Sequence, residues 1–188
     1  MIEVEATGRA IGLVEFNIVS RGFEAADSMV KRAKVELTIL DTICPGKLLA
    51  VVFGEVADVK AAVEAAESTS PEAVVESVVV PNVHPDVYPA VVGAVSVDQW
   101  EAIGVIETFS AAPAVEVADA AAKAAAVRLV AVRLATGLGG RGIVLLTGDV
   151  ASVRTAVEAG AGLAQRRGAL LGTAVIASPD PQVLEQLR

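Results

Sequence analysis

The feature that most constrains the fold of this chain is an internal repeat of about 90 residues. The string AIGLVE at 10–15 recurs as AIGVIE at 102–107. Two longer strings recur in the same order. AADSMVKRAKVEL (25–37) aligns with VADAAAKAAAVRL (117–129), and, after an insertion of two residues, GEVADVKAAVEA (54–65) aligns with GDVASVRTAVEA (148–159). A repeat of this length predicts one domain written twice, and we place the two domains at 1–90 and 91–188.

The first copy alternates between strand and helix patterns. AIGLVEF, VELTILDTI, KLLAVVFG and VVESVVV are short apolar or alternating runs, which predict four strands, with CPGK as the turn between the second and third. Two helices are predicted between them, and their inward positions are Phe23, Ala26, Val30 and Ala33 in the first and Val59, Ala62, Val63 and Ala66 in the second. The alternation in the second strand puts Val35, Leu37 and Ile39 on one face.

The second copy predicts the same order of elements. Its elements are strand 102–108, helix 114–126, strand 127–134, loop 135–141, strand 142–147, helix 150–167 and strand 172–177. The order β-α-β-β-α-β in each copy predicts the ferredoxin-like arrangement, an α/β (α+β) fold. A Pro- and Val-rich segment joins the copies, and we expect Tyr88 and Trp100 to anchor it on a domain.

Charge and hydropathy exclude several classes of protein. The formal net charge of −8 offers no basic field for a nucleic-acid backbone. Polar residues interrupt every apolar run before the ~18 residues that a membrane span needs. The acidic N-terminus lacks the layout of a secretory signal, so we expect a cytosolic protein. A single cysteine also excludes a disulfide within the chain.

That cysteine, Cys44, stands in the string TICPGK at 42–47. Pro45 disfavours the helical region for the residue before it, and Gly46 permits close backbone approach, so the thiol is presented on a stiff, extended turn. One Cys and one His cannot form a four-ligand metal site within one chain. From these residues alone, a lone intracellular cysteine is more often a packed small hydrophobe than a ligand.

The repeated strings carry a family resemblance. The pattern [AI]-G-[LV]-[VI]-E, then A-D-x-x-x-K-x-A, a glycine turn and G-[ED]-V-x-x-V-x-x-A-V-E-A resembles the shell proteins of bacterial microcompartments. The resemblance covers nearly the whole chain and both copies. It implies a structural protein of the microcompartment shell, located in the cytoplasm. Two domains in one chain resemble the tandem-domain class, which implies a homotrimer whose six domains imitate a hexamer around a central pore.

A narrower resemblance rests on TICPGK, PNVHPDV and the loop GLGGRG. These look most like the iron-sulfur-bearing shell protein of propanediol-utilisation compartments. The resemblance implies that Cys44 binds metal, with three copies holding one [4Fe-4S] cluster per trimer on the threefold axis for electron or cluster transfer across the shell. It implies two pore loops, one with Ile43, Pro45, Gly46 and Lys47 and one with Leu138, Gly139 and Gly140. Lys47 would offset the cluster's negative charge if its side chain turns toward the axis.

Lys31 and Lys123 occupy the same position in the two copies, within the A-D-x-x-x-K string. The resemblance implies that this lysine lies at the tile edge, where the protein would contact other shell proteins. Encapsulated redox enzymes are further candidate partners. Without the repeat, Lys31 and Lys123 would both be interpreted as solvated helix lysines.

No catalytic constellation is visible, so we expect no enzyme activity. Glu15 and Glu107 recur at matched sites but show no acid-base partner, and His84 between two prolines is typical of a packing or surface residue. Two alternatives stay open beside the cluster-bearing tile. One is a plain shell tile with a metabolite pore and no cluster, and the other is a soluble tandem regulatory module.

Overall fold

The computed structural model describes residues 9–97 and 100–187. They form two compact units. The first consists of the described residues up to Pro85 together with the loop Ala135–Gly140, and the second consists of Asp86–Leu134 and the described residues from Arg141 onward. Within the described ranges, no helix has the length and apolar character needed to cross a bilayer.

The first unit is a four-stranded antiparallel sheet with two helices. Its elements in chain order are β1 (Arg9–Phe16), α1 (Val19–Arg32), β2 (Val35–Ile43), β3 (Lys47–Glu55), α2 (Val56–Thr69) and β4 (Val74–Val80). The strand order is β2-β3-β1-β4, so each helix connects strands that are not neighbours. This is the split β-α-β arrangement that the sequence predicts.

Helix α2 buries the face that its periodicity predicts. Val59, Ala62, Val63 and Ala66 are its buried residues, and they join a core with Val14 and Phe16 of β1 and Val52 of β3. The helical spacing of 3.6 residues alone was enough to find this face.

Helix α1 buries only part of the face predicted for it. Its buried residues are Gly22, Ala25, Ala26 and Met29, whereas Phe23 is 51% and Val30 is 40% exposed. The prediction is confirmed for Ala26 and Ala33, which pack on the core. It was wrong for Phe23 and Val30 because the sheet lies close to the helix: a Cβ on Gly22 would come within 2.7 Å of Leu48. Small residues allow that approach, so the inward face is the one with Gly and Ala and not the one with the largest apolar side chains.

Strand β2 also departs from its predicted alternation. Its register against β3 shifts between Leu37 and Ile39, so Thr38 is the extra residue of a β-bulge. A bulge reverses which side chains face the core beyond it. Val35, Leu37 and Leu40 therefore pack on the core, and Leu40 takes the place predicted for Ile39.

The second unit repeats this topology and adds a short helix at each end. Its elements are α3 (Val87–Val91), β5 (Ala102–Thr108), α4 (Ala111–Ala124), β6 (Arg128–Leu134), β7 (Gly142–Gly148), α5 (Val150–Arg166), β8 (Leu170–Ile176) and α6 (Pro181–Glu185). The sheet order is β6-β7-β5-β8, all antiparallel. The two-domain, ferredoxin-like fold predicted from the repeat is confirmed.

Two details of the second unit differ from the predicted helix and linker. Helix α4 begins at Ala111, so it contains Pro113, where the predicted helix started after the proline. A proline is tolerated there because the first-turn N–H groups have no partner within the helix. In the predicted linker, Val87–Val91 forms α3. Trp100 packs on a cluster of Ile103, Val130 and Leu145, so its predicted anchoring of the linker on a domain is confirmed.

Candidate functional site

A tight turn between β2 and β3 presents the cysteine. The Gly46 N–H donates to the Ile43 carbonyl at 2.9 Å, and the Cys44–Pro45 peptide bond is cis, so residues 43–46 form a type VI turn. Ile43 is buried, Cys44 is half-buried and unoxidised, and Pro45 and Gly46 are exposed. The turn therefore holds its thiol partly open to solvent.

Lys47 ends this turn with its ammonium directed to a buried carboxylate. Nζ of Lys47 lies 3.0 Å from Oε2 of Glu15, and the side chains are 24% and 0% exposed. Alternation along β1 and β3 puts both residues on the sheet face opposite α1 and α2. The positive charge of Lys47, which was predicted to offset the negative charge of a cluster, is thus paired with Glu15 on the neighbouring strand.

The loop between β6 and β7 has a backbone that few residues other than glycine adopt. Ala135, Gly137, Gly139 and Gly140 all have positive φ, at 61°, 70°, 62° and 89°, and the Leu138 N–H donates to the Ala135 carbonyl at 3.1 Å. The first unit includes Ala135–Gly140. A Cβ placed on Gly140 would lie 3.1 Å from the carbonyl oxygen of Cys44. The structure therefore brings the two predicted pore loops together, at Gly140 and Cys44.

A second ion pair repeats the first. Nη1 of Arg141 lies 3.2 Å from Oε1 of Glu107, with the side chains 53% and 32% exposed. Glu107 matches Glu15, and Arg141 matches Lys47, since each base comes just before or at the start of the strand that follows the loop. Sequence reasoning noticed the two glutamates but missed their partners, which lie 32 and 34 residues further along.

The two candidate edge lysines form matched pairs within their helices. Lys31 of α1 lies 2.5 Å from Asp27, and Lys123 of α4 lies 2.7 Å from Asp119, both at i,i+4. Lys31 is 73% and Lys123 is 45% exposed. Each stands in the last turn of its helix, where a positive charge is favourable. The aspartate of the A-D-x-x-x-K string was the available signal for this pairing.

No single chain assembles a metal site in the part of the sequence that is described. Across residues 9–97 and 100–187, no group of three or more His, Cys, Asp or Glu side chains is placed to hold an ion. His84 is half-buried after β4. Any cluster at Cys44 would therefore need thiolates from other copies of the chain.

The chain matches the family model described as BMC domain twice, over residues 10–83 and 102–179. It is similar to the bacterial microcompartment shell protein PduT of Citrobacter freundii, with 39% identity over 179 residues, which is 95% of this chain and 97% of that protein.

Two solved structures resemble the fold. A crystal structure of a microcompartments protein from Desulfitobacterium hafniense DCB has 44% identity and a TM-score of 0.91, covering 94% of this chain and 98% of that one. The fused permuted hexameric shell protein MSM0275 from the RMM microcompartment has 26% identity and a TM-score of 0.58, covering 84% of each chain.

Proposed function

Because this chain belongs to the BMC-domain family, we propose that it is a trimeric tile whose three Cys44 turns hold a [4Fe-4S] cluster for electron or cluster transfer across the shell. Membership makes it a tandem-domain shell protein of a bacterial microcompartment, within the cytoplasm, and not an enzyme. The observation that carries the finer proposal is the partly open thiol of Cys44 at a tight turn beside the second loop.

The number of domains in the chain supports the proposed trimer. The shell protein EutM of Salmonella typhimurium matches only 45% of this chain over 86% of its own length, so one chain here carries two such domains. MSM0275, also fused, is described as hexameric. Three copies of a two-domain chain provide the same number of domains as a hexamer of single-domain chains.

The donor chemistry at the turn fits a cluster only under threefold symmetry. Each chain offers one thiol, and soft thiolates suit iron-sulfur clusters. Cys44 would bind iron. The hydrogen bond from the Gly46 N–H to the Ile43 carbonyl would fix the turn, and the ion pair with Glu15 would hold the Lys47 ammonium where the turn meets β3. When bound, the cluster would supply one-electron transfer. One iron would take a ligand that is not a cysteine of this protein.

Iron analysis tests the cluster. Protein purified without oxygen should contain about four irons per trimer, with acid-labile sulfide and a paramagnetic signal after reduction. The Cys44→Ser variant should contain none, because a hydroxyl is a much weaker ligand for iron-sulfur clusters than a thiolate. Sedimentation of both proteins shows whether the trimer survives. A trimer without iron or sulfide in the wild-type protein would leave the alternative of a plain tile with a metabolite pore.

Array formation tests the edge lysines. We expect ordered two-dimensional arrays of the wild-type protein by electron microscopy, and their loss in the Lys31→Ala, Lys123→Ala double variant. Loss of the exposed Lys31–Asp27 pair should cost only about 0.3–0.5 kcal/mol. The Lys123–Asp119 pair is partly buried, with the side chains 45% and 13% exposed, so its loss should cost more, and circular dichroism checks that the double variant is folded. Lys60→Ala, at an exposed lysine of α2, is the matched control and should retain the arrays. Arrays that persist in the double variant would contradict an edge role for both lysines.

A further inference from the structure

The loop Ala135–Gly140 approaches the cysteine turn at Gly140. A Cβ at this residue would lie 3.1 Å from the carbonyl oxygen of Cys44 and 3.8 Å from Cδ of Pro45. Carbon and carbonyl oxygen ordinarily approach to about 3.3–3.6 Å in proteins. The backbone at Gly140 therefore lies directly against the backbone of Cys44, in space that any side chain would need.

The other glycines of the loop serve a different purpose. Gly137 and Gly139 have left-handed φ values of 70° and 62°, but a Cβ on either would meet no heavy atom within 4 Å. At those two positions, conformation is the one reason that favours glycine. At Gly140, φ is 89° and the space is also occupied, so this residue has a second, steric requirement that involves Cys44.

The turn is held at both of its ends and by one hydrogen bond across it. Ile43 is buried at its start, Lys47 pairs with Glu15 at its end, and the Gly46 N–H donates to the Ile43 carbonyl between them. Pro45 and Gly46 are exposed. The contact from Gly140 reaches Cys44 itself, so it acts on the residue that carries the thiol.

We propose that Gly140 is a positioning residue for the Cys44 thiol: its missing side chain lets the loop Ala135–Gly140 lie against the Cys44 carbonyl and determines where the turn stands. A methyl group at Gly140 would displace the carbonyl by a few tenths of an ångström. The thiol belongs to the same residue and moves with it. The consequence for cluster binding rests on the proposed function, whereas the consequence for thiol position does not.

The test compares Gly140→Ala with Gly139→Ala in the full-length protein. Both variants place an alanine at left-handed φ in the same loop, but only Gly140→Ala meets Cys44. The first measurement is the rate at which iodoacetamide alkylates the reduced, iron-free protein. We expect Gly140→Ala to move the thiol and change this rate about threefold in either direction, with Gly139→Ala close to wild type. Equal rates in the two variants would overturn the proposal.

A second pair of variants tests the same proposal if an alanine variant does not fold. Asparagine tolerates left-handed φ better than alanine, so Gly140→Asn and Gly139→Asn carry the added Cβ with a smaller backbone cost. The same difference in alkylation rate is expected between them, and its absence would again overturn the positioning role.

Iron content separates this inference from the proposed function. After anaerobic reconstitution, Gly140→Ala trimers should bind about half the iron of wild type, while Gly139→Ala trimers bind the full amount. Wild-type protein without iron, together with a changed alkylation rate in Gly140→Ala, would refute the cluster and support the positioning of the thiol. Full iron in all proteins, together with equal alkylation rates, would support the cluster and refute the positioning of the thiol by Gly140.

Discussion

Replacing Lys47 with alanine will lower the free energy of unfolding by about 3 kcal/mol. The Lys47 ammonium lies 3.0 Å from the Glu15 carboxylate, whose side chain is 0% exposed. The substitution takes the counter-charge from a carboxylate that water does not reach, and such a loss costs more than the pair itself contributes. Denaturant unfolding of the full-length chain, followed by circular dichroism, measures the change.

The second copy supplies the control for this experiment. Arg141→Ala removes the matched base from Glu107, but these side chains are 53% and 32% exposed, so the loss should stay below about 1 kcal/mol. The double variant Glu15→Leu, Lys47→Met replaces both charges by apolar groups and should recover most of the stability lost in Lys47→Ala. Equal losses for Lys47→Ala and Arg141→Ala would contradict the prediction that burial of the Glu15 carboxylate makes the loss of its partner more costly.

The Gly142→Ala variant should lose about 3 kcal/mol of unfolding free energy, because the new methyl group has no space. A Cβ at Gly142 would lie 2.5 Å from Cβ of Ala114, 2.6 Å from Oγ1 of Thr108 and 2.9 Å from the carbonyl oxygen of Ser110. Thr108 is fully buried and donates to that same carbonyl at 2.8 Å. Relief of the overlap therefore requires movement of α4 relative to β7 or loss of this hydrogen bond.

Gly172→Ala is the matched substitution in the same sheet. Gly172 lies in β8, and a Cβ there would meet no heavy atom within 4 Å. We expect this variant to be as stable as wild type or more stable by up to about 1 kcal/mol, since alanine reduces the entropy of the unfolded chain. Thermal or denaturant unfolding of the two variants side by side measures both effects. Similar losses in both would show that a general effect of alanine in strands, and not the local space, is responsible.

The fold was predictable because the sequence patterns that determine it are local and occur in both copies of the repeat. The repeated strings gave the number of domains, and the spacing of Val59, Ala62, Val63 and Ala66 gave the inward face of α2. The prediction failed where a long-range fit decided the result. Neither the close approach at Gly22 nor the extra residue at Thr38 changes the hydrophobic pattern enough to be recognised in the sequence.

The candidate site was predictable in its parts and not in its contacts. The proline-glycine turn and the glycine loop follow from residue types with strong conformational preferences. The pairing of Lys47 with Glu15 and the approach of Gly140 to Cys44 join residues far apart in the chain, and no short-range pattern encodes them. The repeat contained a clue to the Lys47–Glu15 pair. In both copies a basic residue, Lys47 or Arg141, stands where the loop ends and the next strand begins.

The Glu15–Lys47 pair also determines the electrostatic character of the cysteine turn. Ile43, Pro45 and Gly46 carry no ionisable side chain, and the charge of Lys47 is compensated by the carboxylate 3.0 Å away. Within residues 43–47, the one ammonium is then paired, and no other residue carries a formal charge. A metal ion held at Cys44 would therefore meet no unpaired charge from the other side chains of the turn.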